Sequence, residues 1–151
     1  IIGIFDNTLQ STLALAAFIP VVIGMGGNIG TQTSTLVVRG LATGRVNVGN
    51  NINIIFKEIR VGLILGILYG LLLGLFAIMS FVDISPYLGL VVGLGIACSM
   101  LIATAFGSLV PLLLHRMDID PAIATGPFVT TSIDILGVTL YFVIAKIFLP
   151  V

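Results

Sequence analysis

Four long runs of this chain carry almost no charge, and that restricts its fold more than any other feature. Residues 9–38, 61–81 and 87–114 hold no formally charged side chain, and residues 121–150 hold only Asp134 and Lys146. A helix of about 20 apolar residues crosses a bilayer core of about 30 Å. In lipid every backbone N–H and C=O must be paired, which leaves only helices or a closed barrel. A barrel would show strictly alternating segments of about ten residues, and no such period is present. The expected fold is therefore all-α, a polytopic helical membrane domain with spans at about 9–41, 61–81, 87–114 and 121–150.

Composition points the same way. Of 151 residues, 58 % are apolar and 8 % charged, against about 25 % charge in a soluble domain. A soluble globule this small could not hide so much apolar surface. Lys and Arg number 6, as do Asp and Glu, so there is no basic patch for nucleic acid. No Ser-His-Asp, Walker or zinc spacing is present, and Gly-Met-Gly-Gly-Asn at 24–28 follows no strand, so it is not a nucleotide fingerprint. The expectation is a non-enzyme. The single Cys98 lies in an apolar run and reads as a small packing residue. The chain opens Ile-Ile-Gly without Met, as expected for a piece of a longer protein, and no basic stretch precedes the first apolar run.

The connectors are short or polar. Residues 40–60 read as a polar loop with an amphipathic turn at 52–57, residues 82–86 as a tight turn, and residues 115–120 as a polar turn. Asp120-Pro121 is a helix start, an N-cap followed by an N1 proline. Residues 1–8 read as the tail of a preceding element. Arg39, Arg45, Lys57, Arg60 and Arg116 flank the first and third connectors, whereas the second has only Asp83. Basic residues stay cytoplasmic, so both termini are expected outside and one further helix is expected before Ile1. Gly62, Gly66, Gly70 and Gly74 repeat every four residues, as do Gly89, Gly93 and Ala97. Small residues at this spacing let helix backbones touch in lipid.

Polar residues inside the spans are the candidates for function. The first span has 33 residues, about 50 Å of helix at 1.5 Å per residue, so it must tilt, protrude or break. Gly24, Asn28, Gln32, Thr35 and Arg39 fall on one side of it. Such a stripe either lines a pore or bonds helices together. In the fourth span Asp134 is the sharpest residue, read as the only acid deep inside any span. An acid there must face protein, water or an ion. Gly126, Thr130 and Asp134 stack at steps of four, with Gly137 and Tyr141 continuing the face, and the Thr125-Gly126-Pro127 break is expected to free carbonyls below the acid. A donor set of oxygens without thiolate or imidazole suits hard cations such as Mg²⁺ or Ca²⁺. The competing reading is a protonated, hydrogen-bonded Asp134 that fixes helix pairing. His115, Asp118 and Asp120 read as boundary and turn residues.

At these residues the chain resembles the transmembrane domain of the MgtE family of magnesium channels. The likeness lies in Pro20-Val-Val-Ile-Gly-Met-Gly-Gly-Asn-Ile-Gly-Thr-Gln, in Val38-Arg39-Gly40-Leu41-Ala42-Thr43-Gly44, and in Asp120-Pro121-Ala122 through Gly126-Pro127 to Ser132-Ile133-Asp134-Ile135-Leu136-Gly137. It implies that these are the last four helices of a five-helix domain, and that the cytosolic regulatory domains of the full protein lie outside the chain. It implies a homodimer with a pore on its axis, lined by the first and fourth spans. Asp134 would be the metal residue, paired across the axis and binding hydrated Mg²⁺. By the same resemblance Gly24, Asn28, Thr130 and Gly126 would line the pore, and Gln32, on the same stripe as Asn28, is expected to line it with them. Gly126 departs from the Asn of some members, keeping a carbonyl but no side-chain ligand.

The expected function is conduction of Mg²⁺ into the cell down its electrochemical gradient, across a plasma membrane that the chain spans several times. Moving one charge through 100 mV is worth roughly 2.3 kcal/mol, and a divalent ion gains about twice that. Two other classes stay open: an ion-coupled divalent-cation carrier, whose flux would saturate and need a counter-ion, and a structural membrane subunit, which would transport equally well with Asp134→Asn. For topology, cysteines placed at Asn47 and Ser85 should label with impermeant reagents from opposite sides of the membrane; labelling of both from one side would refute four spans.

Overall fold

The structure, a computed structural model, describes residues 2–5, 13–45, 51–81, 85 and 87–149. It is all-helical among these residues. Four long helices follow a short 3-10 turn at Ile2–Phe5: α1 at Ala14–Ala42, α2 at Asn51–Ser80, α3 at Tyr87–Arg116 and α4 at Pro127–Phe148. All four are long and apolar enough to cross a membrane. A second 3-10 turn, Pro121–Thr125, leads into α4. Successive helices run antiparallel, with α3 at the centre in contact with the other three.

α1 spans 29 residues and passes through Pro20 without a break, so the long first span protrudes or tilts rather than breaking. It stops at a left-handed glycine: Gly44 has φ 67°, and its N–H donates to the Leu41 carbonyl at 3.1 Å. A residue with a side chain resists that conformation, which is why glycine follows so many helix ends.

The expected 40–60 loop is largely helical instead. α1 continues to Ala42 and α2 begins at Asn51; the intervening residues 46–50 lie outside those described. The reason is a helical period hidden among polar residues. Ile55, Glu58, Ile59 and Gly62 recur at helical spacing and turn inward, while Phe56, Lys57 and Arg60 are exposed. The 82–86 turn falls mostly on residues outside the description.

The fourth span also departs from a single helix starting at residue 121. The Asp120 cap is present, its Oδ1 accepting from the Ala122 N–H at 2.9 Å, but it opens only the 3-10 turn. Pro127 has no N–H and disfavours helical geometry in the residue before it. Gly126 is accordingly extended, with φ −111° and ψ −152°, and the α-helix starts at Pro127.

The glycine repeats form one seam inside the chain, between α2 and α3. A Cβ at Gly70 would lie 2.6 Å from the Gly93 carbonyl oxygen, and one at Gly74 would lie 2.7 Å from that of Gly89. A Cβ at Gly66 would lie 3.0 Å from the Ala97 carbonyl oxygen, and one at Gly62 would run into the Thr104 side chain. The remaining core lies between α1, α3 and α4, where Leu15, Phe18, Val22, Ile96 and Tyr141 are buried together. Hydroxyls inside the bundle return to helix carbonyls, as Thr104 does to Met100 at 3.1 Å, which satisfies them without water. Gly70→Leu should therefore force α2 from α3 and cost about 1–3 kcal/mol, as overpacking does. The check is the thermal midpoint in detergent; a wild-type midpoint would mean that the seam is not tight.

Candidate functional site

α1 and α4 cross antiparallel along a line of small residues. A Cβ at Gly26 would meet Ser99 Oγ at 2.6 Å, and one at Gly137 would meet the same oxygen at 2.7 Å. Ser99 on α3 donates to the Val22 carbonyl at 3.4 Å, and the Tyr141 hydroxyl donates to the Leu15 carbonyl at 3.2 Å. These contacts fix the register of α4 on α1. Gly137 and Tyr141 are thereby buried in the bundle rather than continuing an open face above the acid.

This register sets Asp134 against α1 at Gly27. A Cβ at Gly27 would lie 3.4 Å from Asp134 Oδ1. That oxygen is buried and has no hydrogen-bond partner among the described residues. The side chain as a whole is half-buried, at the edge of the α1–α4 contact. A carboxylate oxygen turned to protein with nothing donating to it is a costly arrangement. Lys146, on the same helix but twelve residues on, is exposed and makes no ion pair with it among the described residues.

Around the acid, Gly24, Asn28 and Gln32 are exposed on α1, as are Thr35 and Arg39 further along. The stripe thus lies on the outside of this single chain. Thr130 is half-buried one turn before the acid and donates its hydroxyl to the Pro127 carbonyl at 3.1 Å. With its proton so directed, its lone pairs are what remain for a cation.

Gly126 behaves differently from the expectation of a freed carbonyl. Its oxygen accepts from the N–H of Val129 at 3.1 Å and of Thr130 at 3.5 Å, so the first turn of α4 occupies it. A Cβ there would meet nothing within 4 Å. Among the described residues no three His, Cys, Asp or Glu side chains gather in one place, so one chain offers a single carboxylate rather than a closed protein cage.

A second acid escaped the sequence reading. Glu58 is only 8 % exposed, and Thr33 of α1 donates its hydroxyl to Glu58 Oε2 at 3.4 Å. Asp134 is therefore not the only acid held inside the helices. The inward period of Ile55, Glu58, Ile59 and Gly62 was the available signal. Gly27, the residue that faces the carboxylate, was likewise passed over in favour of Gly24.

The family model of divalent cation transporters, MgtE, matches residues 19–144. The chain belongs to the MgtE family. It is 38 % identical over 149 residues to the magnesium transporter MgtE of Bacillus subtilis, covering 99 % of this chain and 33 % of that protein. It is 36 % identical over 146 residues to the magnesium transporter MgtE of Thermus thermophilus, covering 96 % of this chain and 32 % of that one. The Enterococcus faecalis protein of the same name is 35 % identical over 152 residues. The chain thus spans about a third of the length of these relatives. As a member of MgtE it is a multi-pass membrane domain, and the matched segment contains both the α1 stripe and Asp134.

The close contacts make a graded test of this register. Gly27→Ala places a methyl at ordinary contact distance and should melt near wild type. Gly107→Ala places one 2.5 Å from the Gly30 carbonyl oxygen and should cost about 1–3 kcal/mol. Thermal midpoints in detergent that rank the two variants the other way would contradict the packing of α1 on its neighbours.

Proposed function

We propose that this domain conducts Mg²⁺ through the membrane into the cell, with Asp134 as the ion site on the axis of a homodimer. The observation that carries the proposal is the unpartnered, buried Oδ1 of Asp134 beside an exposed polar stripe on α1. In hydrocarbon, polar and ionisable side chains face a protein partner or water. A second copy placed against α1 and α4 would enclose the stripe and bring a second Asp134 to the first.

The ion chemistry agrees. Mg²⁺ gives up its waters reluctantly and is usually bound through one or two carboxylates with several waters retained. Two Asp134 carboxylates, with Asn28, Gln32 and Thr130 holding waters, would make such a site without any protein cage. Gly24 would leave room for the hydrated ion on α1. Gly126 contributes space rather than a ligand, since its carbonyl is already occupied. The regulatory cytosolic domains expected of the full-length protein would act on this pore from outside the chain. The inward membrane potential supplies the driving force.

Asp134→Asn keeps the size of the side chain and removes both charges per dimer. At an effective dielectric of about 20, each carboxylate attracts a nearby divalent ion by several kcal/mol, so Mg²⁺ affinity should fall at least roughly tenfold. Only the ionised carboxylate ligates, so protons and Mg²⁺ compete. Acidification should weaken binding in the wild type, high Mg²⁺ should restore it, and the Asn variant should lose this acid sensitivity. Asp134→Glu should bind more weakly and stay pH-dependent. Mg²⁺ flux into proteoliposomes, with calorimetric titration from mildly acidic to neutral pH, checks all three; unchanged affinity in the Asn variant would remove Asp134 from the site. Gly126→Asn should fold normally and add a ligand, raising Mg²⁺ affinity in the same titration.

A further inference from the structure

The first three turns of α2 separate their side chains by charge. At 100° per residue, Ile52, Phe56, Arg60 and Lys57 share an arc of roughly 140°, and all four are exposed. Ile52 is 67 % and Phe56 58 % exposed. Glu58, the acid between the two basic residues in sequence, points the other way and is buried on Thr33. Its burial strips the outer face of negative charge. Neither Lys57 nor Arg60 makes an ion pair among the described residues.

Below this basic pair an exposed apolar track winds round α2, starting within the same arc at Ile64 and turning about 40° further with each step of four. Ile64, Leu68, Leu72 and Phe76 follow Arg60 at steps of four and are all exposed. Arg39, Arg45 and Arg116 are exposed at the same end of the bundle. The acidic turn at that end, with Asp118 and Asp120, leads into the 3-10 turn that packs on α1, α3 and α4, away from the outer face of α2.

We propose that this face is a binding site for an anionic phospholipid, its phosphate held between Lys57 and Arg60 and its acyl chain lying along Ile64, Leu68 and Leu72. The head is matched by charge, and the apolar track continues from it to the depth of the membrane. Lys and Arg beside apolar residues such as Ile52 and Phe56 on one helix face are the pattern of a helix that lies against anionic headgroups. The inference is independent of ion conduction and concerns a different helix.

The test uses the whole chain purified in a zwitterionic detergent and titrated with phosphatidylglycerol, phosphatidylcholine or inorganic phosphate. Native mass spectrometry reads the lipid retained, and the thermal midpoint reads its effect. Phosphatidylglycerol should be retained in preference and raise the midpoint, and high salt should weaken it. Each basic residue near an anionic surface is worth roughly a fivefold gain in affinity, so K57Q/R60Q should weaken phosphatidylglycerol binding roughly thirtyfold. Its midpoint in phosphatidylcholine should match wild type, and Glu58→Gln, which leaves the outer face intact, should bind phosphatidylglycerol normally. Equal retention of the two lipids, wild-type affinity in K57Q/R60Q, or an equal loss in Glu58→Gln would overturn the proposal. Stabilisation by inorganic phosphate alone, equal to that by phosphatidylglycerol, would replace the lipid by a free anion and overturn it too.

Discussion

In hydrocarbon a leucine gains little by turning from lipid to protein, so helices must be held by contacts that ordinary side chains would prevent. Here those contacts are glycine Cα atoms set against carbonyl oxygens of the next helix. Gly70 on Gly93, Gly74 on Gly89, and Gly107 on Gly30 bring backbones together with no side chain between them. The rest of the arrangement depends on that spacing. α3 reaches three neighbours at once because its small residues face each of them: Gly89 and Gly93 toward α2, Gly107 toward α1, Ser99 toward α1 and α4.

The same economy sets the electrostatics of the candidate site. Gly27 lies beside Asp134 and, having no side-chain donor, offers its Oδ1 nothing to bond to. The chain thereby holds a carboxylate at membrane depth with one oxygen unsatisfied. Elsewhere it takes care to satisfy such groups: threonines bond back to their own helices, Tyr141 reaches Leu15, and Thr33 meets Glu58. Among the described residues Asp134 stands apart from this pattern, with nothing donating to its Oδ1.

Much of this was legible from residue order alone. The four helices follow from long uncharged runs, and the α2–α3 seam from glycines four apart. Asp134 stood out as an acid among apolar neighbours, and the structure sets it against Gly27 with one oxygen unpartnered among the described residues. What the sequence hid was the phase of polar helix. Lys57-Glu58-Ile59-Arg60 reads as loop until one sees that its acid and its bases point in opposite directions. Nor could residue order say which of Gly24, Gly26, Gly27 and Gly30 faces what. That depends on the partner helix: Ser99 selects Gly26, Ile133 selects Gly30, and Asp134 selects Gly27. The Gly126 carbonyl was no easier to place, since the first turn of the helix that follows it supplies its donors, Val129 and Thr130 N–H.

The one-sided attachment of α2 has a mechanical consequence. α2 leans on α3 along the glycine seam and meets α1 through the Thr33–Glu58 hydrogen bond near one end, so most of its surface is free of the bundle. A bilayer thinner or thicker than a helix bundle prefers is met by tilting, kinking or snorkelling of flanking residues. Any tilt of α2 is passed on to α3, because the glycine seam leaves no side chain between the two backbones to absorb it, while Ser99 and Tyr141 tie α1 and α4 in a register of their own.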